Sequence, residues 1–476
     1  MKLKQIALLV AGLVASATAF AGVTPTQIND ARVAGTLDQV FITGASAPSK
    51  SIYEGFVGSG TAVGCDPTTQ SIFTSQTGSN VTPGGLGNVL GYACTRGGRT
   101  LAVYHSIAGG SLTAYTPHTI NAQIERLRFL GTSCASGPLS YVDSTNTNNN
   151  ATVYKGCTAL TPALAVSEAV GNPGKPAGGF SDVEARLFPQ TIGGGVIPTS
   201  VGTERNAFVG QAFGVVVSTN LYRALQQAQS LADVDAATFD PAFAPNLSKA
   251  QYASIVAQQS GSPYQANWNA ILGDTLGANK KVIVQRRVAT SGTQAASNAF
   301  FLGNPCLGSS ALTPANATTS ASFDVIENSG TSNVKEGITA AHVAGNFAIG
   351  VVSAENDWRV DSAARNQYRF IKIDNVHPEA GDVANARATA VNGTYGFHFE
   401  LKTFVAASAS PFAGALIQSI ASNLSAPQAS ACSVLPRGLT LNPLNPAPTA
   451  GLCEATGQVA KISNEGNNCK PQVLFF

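Results

Sequence analysis

Hydrophobic residues gather in short runs separated by Gly, Ser, Thr and Asn. Gln39–Ile42, Leu101–Tyr104, Phe213–Val217, Lys281–Arg286, Phe347–Val352 and Arg369–Ile373 read as strands. The run Phe213-Gly214-Val215-Val216-Val217 has the continuous β-branched pattern of a strand buried on both faces. Helical patterns lie over Ser49–Phe56, Leu221–Leu231, Leu247–Val256 and Gln294–Leu302, with Ser248 placed as an N-cap. Strands alternating with helices predict an α/β architecture with mostly parallel sheets. Gly58–Arg99 is turn-rich, and Asp143–Thr152, with its run Asn148-Asn149-Asn150, reads as a polar loop. From Ser425 onward the chain is rich in Pro, Asn and Gly and holds three cysteines, which suggests a stapled extension.

The first segment has a different pattern. Met1-Lys2-Leu3-Lys4 is basic, Ile6–Ala17 is apolar, and Ala19-Phe20-Ala21 has an A-x-A cleavage form, which predicts a secretory signal peptide over residues 1–21. The apolar run is shorter than the roughly 20 residues a membrane span needs. The expected location is the periplasm or the exterior.

Export changes how the eight cysteines are read. Cys65, Cys94, Cys134, Cys157, Cys306, Cys432, Cys453 and Cys469 all lie beyond the cut, and none has C-x-x-C spacing, so disulfides are expected rather than a metal site. Cys65 with Cys94 and Cys134 with Cys157 each bracket a loop-like stretch; Cys306 with Cys432 and Cys453 with Cys469 are the simplest remaining pairs.

Charge sharpens the picture. The 476 residues include 28 Lys+Arg and 26 Asp+Glu, and only 11% are charged, less than half of the roughly 25% usual for soluble domains. The leader carries Lys2 and Lys4 and no acid, so the rest is formally neutral. An apolar share of 44% with so little net charge excludes a disordered chain, and near-neutrality argues against nucleic-acid binding. No cofactor or metal site is expected: His105, His118, His342, His377 and His398 are scattered, and no Walker A loop, G-x-S-x-G elbow or dinucleotide fingerprint stands in context. No enzymatic activity is expected. His105 lies beside a small-residue loop, where it either reaches a ligand or packs.

The informative constellation is Arg286-Arg287-Val288-Ala289-Thr290-Ser291-Gly292-Thr293, between a strand and a helix. A helix start offers unpaired N–H groups and a positive dipole end, Ser291 and Thr293 add hydroxyls, and an Arg can clamp two oxygens; together they suit an anion. Ser291 is also an ordinary N-cap candidate. Two further loops have the same build, Thr43–Ser49 and Ser106–Ser111, and open α/β sheets gather such loops at one edge.

In order and context these landmarks resemble the phosphate-binding proteins of phosphate ABC transporters and the related DING-type proteins, which share the type 2 periplasmic binding protein fold. The resemblance runs through Thr43-Gly44-Ala45-Ser46-Ala47, Ser106–Ser111, Phe180-Ser181-Asp182, Gly210–Val217, Leu247–Ile255 with Trp268, Arg286–Thr293 and Gly345–Val351. It implies a two-lobed α/β fold of two mixed sheets flanked by helices with a hinge between lobes. Residues 22–212 plus 379–476 would form lobe 1 and 213–378 lobe 2, with crossovers near 212 and 378. It also implies phosphate or a similar oxyanion as ligand, a monomer, and an ABC permease as partner. By analogy the anion would be held by Ser46, Ser49, Gly110, Ser111, Asp182, Arg287, Ser291, Gly292 and Thr293. Asp182 would accept a hydrogen bond only from an anion that keeps a proton, favouring hydrogen phosphate over sulfate; read by themselves, Asp182 is equally a cap or surface acid and Arg287 a salt-bridge partner. Where the family carries an acidic residue two positions after the second Arg, this chain has Ala289. The alternative is a secreted surface or extracellular-matrix protein that reuses the scaffold without transport.

Overall fold

The computed structural model of the chain describes residues 22–46, 49, 52–53, 56, 63–77, 87–128, 131, 133–134, 139–142, 150–162, 175–232, 239–259, 261–277, 280–425, 435–443 and 457–474. The predicted leader lies outside them. Most strands join one continuous mixed sheet: β1 (Leu37–Gly44), β2 (Ser71–Thr74), β3 (Val89–Arg96), β4 (Arg99–Ser106), β5 (Gly178–Ser181), β6 (Gly202–Ser218), β7 (Val282–Arg287), β8 (Phe323–Asn328), β9 (Phe347–Ser353) and β10 (His398–Ala406). Across the sheet the order is β8-β7-β9-β6-β10-β5-β1-β4-β3-β2.

β6 links two sections of this sheet. Its residues Gly202–Ala212 pair with β10, and Phe213–Val217 pair with β9, so the strand changes partner between Ala212 and Phe213. The Val215-Val216-Val217 run is fully buried, as a strand covered on both faces requires. β1 is parallel to β4 and β5, and β7 to β8 and β9, whereas β3 runs antiparallel to both β4 and β2 towards one end of the sheet. In the middle, β6 runs antiparallel to β9 and β10, and β10 antiparallel to β5. The expectation of mostly parallel sheets is therefore corrected to a mixed sheet. β10 arrives late in the chain and fills the slot between β5 and β6 in the opposite direction, so no crossover helix fixes its sense.

Helices cover the sheet: α1 (Thr219–Ala228), α2 (Lys249–Val256), α3 (Gly292–Leu302), α4 (Thr331–Val343) and α5 (Pro411–Ser425). α4 lays Val334 and Ile338 on Val216, Ile283, Val352 and Phe370. α3 buries Ala295, Ala296, Phe301 and Leu302 in the cluster that holds Val284, Ile349 and Tyr252. Ser248 caps α2 as its sequence predicts: its hydroxyl accepts from the Gln251 amide at 3.1 Å while Gln251 accepts from the Ser248 amide at 2.8 Å. Ser248→Ala is expected to cost about 1 kcal/mol in urea denaturation. Of the helix predicted over Ser49–Phe56, the described residues Ser49, Ile52, Tyr53 and Phe56 are helical. No helix among the described residues is long and apolar enough to cross a membrane.

Three readings change. The turn-rich stretch 58–99 contains β2 and β3; in β2 the buried Ser71 and Thr74 hide the strand pattern, and β3 is set among Gly-rich turns that mask it. The polar loop ends early, because Asn150–Tyr154 forms a strand that pairs with Ser71–Phe73; residues 143–149 lie outside the described set. Cys65–Cys94 and Cys134–Cys157 are bonded as read, but Cys306 bonds Cys469, with Cα atoms 5.2 Å apart. That excludes both Cys306–Cys432 and Cys453–Cys469. The segment 457–474 folds back onto β10 and sets Cys469 beside the end of α3, a proximity that spacing along the chain does not encode. Cys432 and Cys453 lie outside the described residues.

Candidate functional site

Three strand ends meet at one point. β7 ends at Arg287, a turn closes with the Ser291 amide donating to Val288 O at 3.0 Å, and α3 begins at Gly292. Arg287 is 3% exposed. Its amide donates to Gln294 Oε1 at 3.1 Å, and its guanidinium donates to Thr331 Oγ1 and to the Ser329 carbonyl, each at 2.9 Å. The start of α4 thus fixes the guanidinium from one side.

The second strand end is that of β4. After it, Gly109 and Gly110 take φ of 87° and 80°, backbone that favours glycine, before a turn at Ser111–Ala114. A Cβ on Gly110 would lie 3.1 Å from Thr290 O and from Ser291 Cα, and the Leu112 amide donates to Thr290 O at 3.1 Å. Thr43 at the end of β1 donates its hydroxyl to Thr113 O at 2.7 Å, so the three loops lock together.

β5 supplies Asp182, whose amide donates to Ser111 Oγ at 3.3 Å. A Cβ on Gly292 would lie 2.2 Å from Ser111 Oγ and 2.5 Å from Asp182 Oδ2. Glycine here lets the helix start rest directly on the carboxylate. Gly292→Ala is expected to destabilise by about 1–3 kcal/mol in thermal denaturation. Gly396→Ala, whose nearest neighbour would be 3.5 Å away, is expected to be close to neutral.

The electrostatics follow from burial. Asp182 is 1% exposed, and desolvation pushes its carboxyl up to about 6, against the opposing pull of the Ser111 hydroxyl and the Arg287 charge. Desolvation likewise holds Arg287 down to about 10, with Asp182 pulling it back up. Asp182 Oδ1 has no hydrogen-bond partner among the described residues. An unmatched buried acceptor of this kind costs stability unless a donor arrives. Asp182 and Arg287 are thus neither surface groups nor members of a surface ion pair. Ser291 occupies the N-cap position with extended φ and ψ, but its hydroxyl makes no capping bond, so capping does not occupy it.

Of the residues singled out in the sequence, Gly110, Ser111, Asp182, Arg287, Ser291, Gly292 and Thr293 come together; Ser291 and Thr293 are each 2% exposed. Ser46 and Ser49 share a backbone hydrogen bond of 3.3 Å, and Ala45 donates to Phe180 O at 2.8 Å, but the described contacts do not carry the two serines to Asp182. His105 packs: Tyr92 Oη lies 2.9 Å from its Nδ1, and burial lowers its pKa to about 3. Sequence reasoning missed Thr331, Ser329 and Gln294, which orient Arg287, and Glu184, two residues beyond Asp182. Glu184 takes the amide and the side-chain Nδ2 of Asn468, each at 2.6 Å. Only the hydroxyl-rich start of α4 gave any signal for the first group.

No protein-family model matches the chain, and no curated protein matches it at a significant level. Among solved structures, the chain is similar to a protein from Clostridium perfringens described as a phosphate ABC transporter substrate-binding protein with bound phosphate, at 11% identity and a TM-score of 0.37, over 82% of this chain and 97% of that one. It is also similar to an ABC-type phosphate transport receptor from Vibrio cholerae, at 14% identity and a TM-score of 0.27, over 52% of this chain and 73% of that one.

Proposed function

We propose that the chain is an exported solute-binding protein that holds phosphate or a similar oxyanion between two lobes, residues 22–212 with 379–476 and residues 213–378. The supporting observation is the meeting of a buried carboxylate that has an unmatched oxygen, a buried guanidinium, and a helix start with a disengaged Ser291 hydroxyl. Arg287 and the α3 dipole supply positive potential, the hydroxyls of Ser111, Ser291 and Thr293 and the first amides of α3 supply donors, and Asp182 supplies one acceptor. An acceptor among donors selects an anion that carries a proton. Ser46 and Ser49 belong to the same proposal through a closer approach of the β1 loop when ligand binds. The chemistry asks for no bond to form or break, so the reading is binding and not catalysis. Disulfides fit an oxidising compartment.

Delivery to an ABC permease is the transport form of this reading. The alternative, a secreted surface or extracellular-matrix protein on the same scaffold, is favoured by a different observation, the Cys306–Cys469 bond between the α3 end and the 457–474 segment, which restrains any hinge. Titration calorimetry tests the binding itself. Phosphate is expected to bind at micromolar affinity or tighter. Absence of both heat and thermal shift with phosphate, arsenate and sulfate would sink the proposal.

A further inference from the structure

Two segments beyond α5, joined to each other where the Leu441 amide donates to Gln458 O at 2.8 Å, tie the sheet sections together. Leu439–Leu441 pairs with Val209–Gln211 of β6, and Gly438 O accepts from the Ala212 amide at 2.9 Å, at the point where the strand changes partner. From there Arg437 reaches the other section, donating to Ala354 O and to Asn356 O at 3.1 Å, while it also bonds the fully buried Glu379 on its own side. The second tie is covalent. Residues 457–474 are fastened to the β10 section by Ser463, Asn464 and Gly466 on Glu400, by Lys402 on Gly466 O and by Asn468 on Glu184. The next residue, Cys469, is bonded to Cys306, just past the end of α3. Phe300 of α3 also stacks on Phe397, with centroids 4.8 Å apart.

The N-terminus of α3 therefore rests on Asp182 and its far end is bonded to a segment that grips Glu184, two residues away. A hinge opening that parts Gly292 from Asp182 has to stretch this ring. We infer that residues 435–443 and 457–474 form a strap that holds the two sections closed over the anion site, so that ligand exchanges slowly and the protein retains its anion rather than cycling it. The retention half of this inference rests on the anion-binding reading; the strap does not.

The test uses the full chain. In the ligand-free double variant Cys306→Ser/Cys469→Ser, amide hydrogen exchange over residues 183–187 and 292–296 is expected to be at least tenfold faster, and Arg437→Met is expected to speed exchange around Ala212. Release of labelled phosphate is expected to be at least tenfold faster from the double variant. Exchange within twofold of wild type in both variants overturns the strap. If the double variant does not fold, mild reduction of the wild type, with peptide mapping to confirm that only Cys306–Cys469 has opened, gives the same readout, since both of its cysteines are half-buried while Cys65, Cys94 and Cys157 are buried and, among the other described cysteines, Cys134 alone is half-buried. Faster exchange with no phosphate binding by the wild type upholds the strap and removes the anion reading.

Discussion

Arg287→Met is expected to weaken phosphate binding by at least a hundredfold, while Arg286→Met changes it little. The two side chains are neighbours in sequence with opposite surroundings. Arg286 bonds Glu327 at 3.0 Å near the surface, where a pair is worth about 1 kcal/mol or less. Arg287 is buried, and its charge acts on the buried Asp182, so removing it leaves that carboxylate uncompensated, at a cost of several kcal/mol. The variant also strips the donors from Thr331 Oγ1 and Ser329 O. Losing the guanidinium pushes the Asp182 carboxyl further above about 6, so the variant is expected to lose more stability at pH 8 than at pH 5. Calorimetry with phosphate and urea denaturation at the two pH values check both parts, with circular dichroism confirming that the variant folds. Equal binding by the two Met variants would remove Arg287 from the site.

Asp182→Asn is expected to relax the anion preference and flatten the pH dependence of stability. The carboxylate can only accept, so it disfavours an anion without a proton; the Asn amide donates, and sulfate is expected to bind within tenfold of phosphate. For stability, the folded carboxyl titrates near 6 and the unfolded one at 3.8. A raised folded value means that the favourable contribution is complete below 3.8 and is lost as pH rises through about 6, a swing of roughly 3 kcal/mol. The ligand-free Asn variant is therefore expected to be more stable than wild type at pH 8 and no more stable at pH 4. Thermal melts across that range, with both anions titrated at pH 8, provide the check. A variant that still rejects sulfate would count against the selectivity argument.

How much of this the sequence reveals depends on the range of the interactions. The β7 turn and the α3 start are legible because a β-branched run breaks at Ser291-Gly292-Thr293, all within about ten residues. The Ser248 cap is legible for the same reason. Asp182 and Ser111 are more than seventy residues apart, and the chain pattern places each after a strand without bringing them together; resemblance of order supplied that link, and the Ser111–Asp182 hydrogen bond gives it a physical form. Long-range partners left no local trace. Asn468 reads as one more Asn in a polar tail, yet it grips Glu184, and Cys469 looks best suited to nearby Cys453 when only spacing is weighed. β2 escaped because its buried Ser71 and Thr74 break the apolar pattern, β3 because it lies among the Gly-rich turns that flank it, and the antiparallel setting of β10 because pairing sense depends on where that late strand lands.

The placement of β10 also governs how the chain can mature. The two short disulfides have separations of 29 and 23 residues and can close soon after their cysteines emerge, whereas Cys306 waits 163 residues for its partner. Meanwhile β5 and β6 flank a slot that stays open until residues 398–406 are made, exposing unpaired strand edges throughout synthesis of the second section. An emerging chain stapled early but unfinished until late exposes those edges for longest, and fragments ending before β10 should aggregate rather than fold.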